Sequence, residues 1–224
     1  KFKDQIGILP IIANNFEGYK SIIRLSSKSY LENKTTDEPH CLLQELLKIK
    51  SGITVLTGSF GGLIGNLFSK NLLTEIDEVL KLIKNVFGDK FYLEVQRHND
   101  VGEKLFEEFL LKKSNDLAIP LIATHEVFYL DKDMHEAHDA LICIGEKTYV
   151  SEKKRKKYSD EHYLKSSEQI IEIFSDLPEA LENNFNFPFK CNYKPKPSLP
   201  ILPNIRVSKD IDVDQELINL ATKG

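Results

Sequence analysis

Apolar residues along this chain fall in two rhythms. Short runs at Ile8–Ala13, Ile53–Thr57, Phe91–Val95 and Leu121–Thr124 are too short for helices and rich in aliphatic and aromatic side chains, which predicts four buried strands. Between them the apolar spacing changes to three and four. Ile76, Val79, Leu80, Ile83 and Phe87 mark one face of a helix expected to start at Thr74, with the Thr74 hydroxyl as cap and Asp77 three residues on, and to stop at Gly88. A second helix is expected over Asp100–Lys113 with Val101, Leu105, Phe106, Phe109 and Leu110 inward, before Pro120 leads into the last strand. Strands and helices alternating at this spacing predict an α/β fold on a parallel sheet or barrel.

After Ile144 the pattern changes. The basic run from Glu152 to Lys157 reads as a solvated loop, with contact to phosphate as the sharper alternative. A helix over Ser166–Phe174 opens on a Ser166/Gln169 capping box, and a shorter one runs from Pro178 towards Phe185. Pro188, Pro195, Pro197, Pro200 and Pro203 then favour an extended connector, and Asp210–Gly224 starts a new amphipathic helix. The expected division is a folded domain over 1–187, a proline-rich linker over 188–209 and the start of a further region over 210–224. Lys1 opens the chain and Met134 is its only methionine, so a longer parent protein is expected.

With 224 residues, 41% of them hydrophobic, the chain is long enough for a sizeable core. The 30 basic and 34 acidic side chains leave a net charge of −4, which argues against a nucleic-acid grip by the domain as a whole. Cys41, Cys143 and Cys191 are far apart and form no CxxC pair, so neither a disulfide framework nor a cysteine zinc site is expected, and a reducing cytoplasm is the expected home. No apolar run approaches the length of a membrane span, and no membrane partner is expected.

Candidate chemistry concentrates in Ile122–Ile144, where a strand opens into a segment holding His125, Glu126, His135, His138 and Asp139. A strand that delivers imidazole and carboxylate groups at its C-terminal end is how an α/β barrel presents a metal-phosphoesterase site. His125 and Glu126 are adjacent, and neighbours on an extended strand point to opposite faces, which argues against both reaching one metal. His98 follows the third strand and is a weaker metal candidate; its plainer reading is a loop histidine hydrogen-bonded to a neighbour. His135 and His138 share a helix face, where a hydrogen bond anchoring the helix is preferred to metal ligation. The glycines of GSFGGLIG lack the GK[ST] ending of a phosphate cradle and read as a tight strand-to-helix turn.

Five segments in order resemble one family: ANNFEGYKSIIRLSSKSY from Ala13, ITVLTGSFGGLIG from Ile53, FYLEVQRH from Phe91, IATHEVFYLDKDMHEAHDALICI from Ile122, and YLKSSEQIIEIFSDLPEALENN from Tyr163. Each is weak alone, but together they are similar to the polymerase-and-histidinol-phosphatase (PHP) domain of the bacterial replicative DNA polymerase III alpha subunit. The resemblance implies a distorted TIM-like barrel, represented here without its first strands, whose missing staves would expose sheet edges and favour self-association. On this reading residues 1–187 are the C-terminal two-thirds of the PHP domain, and 210–224 begin the polymerase palm.

In active members His, Asp, Glu and Cys residues at the strand ends hold divalent metals for 3′–5′ exonuclease chemistry. Here the histidine position before the Gly-Tyr signature is held by Gly7 or Ile8. The cysteine position falls at Ser59, a far poorer ligand than a thiolate. The closing Thr-Asn-Asp-x-His motif is Thr124, His125, Glu126, Val127 and Phe128, which keeps an acid at Glu126 and replaces the histidine with a phenyl ring. The resemblance therefore implies vestigial metal positions at Ile8, Ser59, Glu126 and Phe128, with no metal and no cofactor expected in this segment.

For the whole protein the resemblance implies DNA-directed DNA polymerisation in chromosome replication, with Mg²⁺ in a palm domain that this chain does not contain and DNA bound through the full-length protein. The segment itself is expected to be inactive alone, a scaffold for the rest of the alpha subunit and a docking surface for a proofreading exonuclease subunit. The alternative is an active metal-dependent exonuclease or phosphoesterase; a third reading is a shortened product unrelated to replication.

Overall fold

A computed structural model describes residues 1–33, 38–49, 51–197, 199–201 and 212–224. Two compact units are present, Lys1–Tyr193 and Lys194–Gly224.

The first unit is α/β. Its strands are β1 (Ile11–Ala13), β2 (Ile53–Leu56), β3 (Phe91–Val95) and β4 (Leu121–Ala123), and they form one open sheet in the order β1-β2-β3-β4. The expected strands are all present, β3 with the expected bounds and the other three shorter than expected. β2–β3 and β3–β4 are parallel, as expected, whereas β1 runs antiparallel to β2. The difference lies in the route between them: the chain leaves β1 at Ala13, passes through α1 (Phe16–Leu31) and α2 (Leu43–Leu47), and re-enters the sheet at the same end, where Ile53 pairs with Ala13. The arrangement is that of part of a TIM-like barrel, with the sheet not closed.

Residues of β2, β3 and β4 are buried throughout, which is why they read as continuous apolar runs rather than alternating ones. On the outer face α4 (Leu73–Phe87) lays Ile76, Val79, Leu80 and Ile83 into the main core beside Val55 and Leu93. On the inner face a smaller cluster of Leu56, Tyr92 and Ile122 is covered by Ile12 and Phe187. Side chains alternate along β3, so Glu94 shares the inner face with Tyr92 and points up it.

Local signals explain most boundaries. Asn15 caps α1 by accepting from the Gly18 amide at 3.0 Å, and Gly18 lets the helix lie against the Gly52 carbonyl, where a Cβ would meet the oxygen at 1.7 Å. The Ser166 box caps α7 (Ser167–Ile173), and Pro178 opens α8 (Pro178–Asn186). Gly88 ends α4, but Thr74 is not its cap: the helix starts at Leu73 and has no side-chain cap. Gly102, at φ 89°, delays α5 (Glu103–Leu117) past the expected start. That shift turns Val101 and Leu105 outward, 95% and 65% exposed, while Phe106 and Leu110 stay buried. α3 (Leu63–Ser69) follows the glycine turn, and α6 (His135–Glu146) carries both helical histidines.

Residues 188–193, expected in the connector, pack on this first unit. Pro188 lies in a 3₁₀ turn, the Asn192 amide bonds the Asn14 carbonyl at 2.7 Å, and Tyr193 contacts the rings of Phe16 and Tyr19. In the second unit Pro195, Pro197 and Pro200 carry neither helix nor strand, while α9 (Val213–Lys223) is capped by Asp212. Pro203 and Asp210 lie outside the described residues. No helix among the described residues is long and apolar enough to cross a membrane.

Candidate functional site

The C-terminal ends of β2, β3 and β4 open into a cleft of about 910 Å³. Three loops form its walls: Gly58–Gly62 after β2, Gln96–Gly102 after β3, and the residues from Thr124 after β4. A fourth segment, 156–162, crosses the mouth from between α6 and α7.

Each loop has a local reason for its path. Gly58 turns at φ 80°, against the Ile8 carbonyl, and that carbonyl accepts the Leu63 amide at 2.9 Å, so the glycine turn is braced from the β1 side. Ser159 ties the crossing segment down: its amide bonds Asp100 Oδ1 at 3.0 Å and its hydroxyl donates to the His98 carbonyl. Beyond the mouth the segment continues as a bridge to the β4 loop, with Phe128 N–H donating to the His162 carbonyl at 2.9 Å and Leu164 N–H to the Tyr129 carbonyl at 3.0 Å.

Ile8, Ser59, Glu126, His98 and His125 all line this cleft. Ile8 offers an exposed aliphatic side chain, and Ser59 a hydroxyl. His98 is buried with both nitrogens engaged: Nδ1 donates to Glu103 Oε1 at 3.1 Å, and Nε2 accepts the Glu126 amide at 3.1 Å. The partner is thus a carboxylate and a backbone N–H rather than a carbonyl. His125 and Glu126 sit in loop, not strand, so the two-face rule does not separate them and both reach the cleft wall. His125 nevertheless has its Nε2 donating to the Tyr163 carbonyl at 2.9 Å, and burial lowers its pKa.

Phe128 does not line the cleft. Its ring stacks between His162, 4.8 Å away, and His138, 5.1 Å away, so it lies behind the mouth rather than plugging it. His135 and His138 are also outside the cleft: His135 Nε2 bonds the Tyr158 carbonyl at 3.1 Å, anchoring α6, and His138 has its pKa lowered by burial. Asp139 is held by Arg155 in a two-pronged pair, both contacts 2.5 Å. The basic run is therefore not wholly solvated: Arg155 has a buried side chain, while its four lysine neighbours are exposed.

Four cleft residues carry no flag in the apolar pattern: Glu94, Asp100, Glu103 and His162. Glu94 was the most accessible to inference, being the one charged residue inside a buried strand. Its Oε1 accepts from Thr124 at 2.5 Å and Gln96 at 3.3 Å, but its buried Oε2 has no hydrogen-bond partner. Burial therefore pushes its carboxyl pKa up, against the lowering effect of those bonds. Among the described residues no three His, Cys, Asp or Glu side chains are grouped to hold a metal ion.

Residues 3–98 match the PHP domain family. The chain is 34% identical over 213 residues to the DNA polymerase III subunit alpha of Rickettsia bellii, covering 95% of this chain and 18% of that protein. It is 34% identical over 216 residues to the protein of the same name from Borreliella burgdorferi, and 31% over 216 residues to that of Caulobacter vibrioides, each covering 96% of this chain and 19% of the relative. The chain thus spans about a fifth of the length of these curated relatives.

Proposed function

Because the chain belongs to the PHP-domain family, in the form carried by DNA polymerase III alpha subunits, we propose that its whole protein is a DNA-directed DNA polymerase of chromosome replication and that this segment is its PHP domain with a degenerate metal site. In this reading the Mg²⁺ of polymerisation belongs to a palm domain outside this chain. The segment contributes no catalytic residue and works by contact, as scaffold for the rest of the alpha subunit and docking surface for a proofreading exonuclease subunit. The protein works in the cytoplasm, and DNA is bound by the full-length protein.

One observation carries the reading: the donors a metal would need at the cleft are absent or already engaged. Ile8 has no lone pair to give, Ser59 has only a neutral hydroxyl, and both nitrogens of His98 are spent on Glu103 and Glu126. What remains is carboxylate, chiefly Glu94 and Glu126, and the one imidazole of His125, itself tied through Nε2 to the Tyr163 carbonyl, without the further imidazoles and the thiolate that complete such a shell. The residues present do not fit a metal cluster.

The same two carboxylates are what favours the second reading, an active metal-dependent 3′–5′ exonuclease or phosphoesterase, since the Oε2 of Glu94 is unpartnered beside the cleft. Incubation of the chain with single-stranded DNA and Mn²⁺ or Zn²⁺ separates them. No release of 3′ nucleotides above a metal-free blank supports the scaffold reading, and release abolished by Glu126→Ala supports the nuclease. Docking is tested by titrating the chain with a proofreading exonuclease subunit, where absence of a complex removes that part of the proposal.

A further inference from the structure

His162 stands where three segments meet at the mouth. Its ring is almost wholly buried, 1% exposed. Nε2 faces Asp100 Oδ2 at 3.0 Å, in the loop after β3, and Nδ1 faces the Glu126 carbonyl at 3.2 Å, in the loop after β4. One face of the ring lies on His98, with centroids 4.0 Å apart and planes 1° apart; the other lies near Phe128 at 4.8 Å and 21°. The stack extends at both ends, from His98 to His125 at 4.6 Å and from Phe128 to His138 of α6 at 5.1 Å. Five rings thus run from the cleft wall to α6.

We infer that His162 is the positioning residue of this mouth, a clamp made of polar contacts at both ring nitrogens and two stacked neighbours that holds the β3 and β4 loops in register. Among the described residues no other side chain near the mouth contacts both loops and stacks on a ring from each: His98 joins the two loops by one bond to the Glu126 amide, and Ser159 reaches only the β3 loop. A buried ring with a polar partner at its nitrogens and a ring packed beside it favours one arrangement of those partners, because any other gives up a hydrogen bond and the packing together. The inference goes beyond the proposed scaffold role and does not rest on it, since it concerns what shapes the mouth and not what the mouth contacts.

The test is hydrogen exchange on the 224-residue chain, comparing wild type with His162→Ala and His162→Phe, each with and without EDTA. His162→Ala is expected to speed exchange by about tenfold at the Glu126, Phe128 and Ser159 amides while leaving Ile76–Phe87 of α4 unchanged. His162→Phe keeps the stack and gives up both polar contacts, and is expected to fall between the two. EDTA is expected to leave wild-type protection as it was. Unchanged loop exchange in His162→Ala overturns the inference, as does an equal rise through α4, which marks a general loss of stability. Loss of wild-type loop protection in EDTA overturns it too, since a metal would then be the clamp.

Discussion

Arg155 reaches back from its loop to grip Asp139 of α6 with both terminal guanidinium nitrogens at 2.5 Å, and its side chain is buried in doing so. The relationship settles two features of the sequence together. Asp139 has both carboxylate oxygens engaged by the guanidinium, and the basic run is pinned at its centre with its lysines outward.

Asp139→Asn is expected to lower the melting temperature and to make the 153–157 loop a preferred site of tryptic cleavage. The arginine holds the Asp139 carboxyl below its usual range, chiefly through that hydrogen bond. For a depressed carboxyl the contribution is full above the unfolded value of about 3.9 and is lost as pH falls through the lower folded one. The gap between wild type and variant in thermal melts should therefore be widest at neutral pH and close in acid.

Glu94 behaves in the opposite sense. Burial raises its carboxyl pKa, so the folded state holds the proton more tightly than the unfolded chain. Its favourable contribution is present below the unfolded value of about 4.3 and fades as pH rises through the raised folded value. Glu94→Gln, which is neutral at every pH, is expected to stabilise the chain at neutral pH by about 1 kcal/mol, with little difference near pH 4. Denaturant unfolding at several pH values measures both.

At the far edge of the sheet the carbonyls of Leu121 and Ala123 in β4 accept the side-chain amides of Asn183 and Asn184 at 2.8 and 2.7 Å. These bonds cover an edge that would otherwise offer itself to another strand. Replacing both asparagines by alanine is expected to cost about 1 kcal/mol per bond and to shift light scattering towards larger species than the wild type forms at the same concentration.

The strands were legible because each is apolar on both faces, and α4 because its buried stripe keeps helical spacing to a terminal glycine. The direction of β1 was not, since apolar content carries no sign of the route taken through α1 and α2. Nor was the outward turn of Val101 and Leu105, which follows from where Gly102 lets α5 begin. Within the site, Ile8, Ser59 and Glu126 were legible as a group through the resemblance to the family's ligand motifs, and they do meet at one cleft. The positions of Phe128 and His162 depend on segment 156–164 docking along the β4 loop, a contact between distant residues that leaves no local pattern.

The central claim, that this PHP segment no longer holds metals at its strand ends, is tested most directly by metal content. The purified chain is equilibrated with excess Zn²⁺ and Mn²⁺, desalted and measured by inductively coupled plasma mass spectrometry beside Glu126→Ala. The account predicts well under a full equivalent of either metal, the same in both proteins; a full equivalent or more in the wild type, lost in Glu126→Ala, would contradict it.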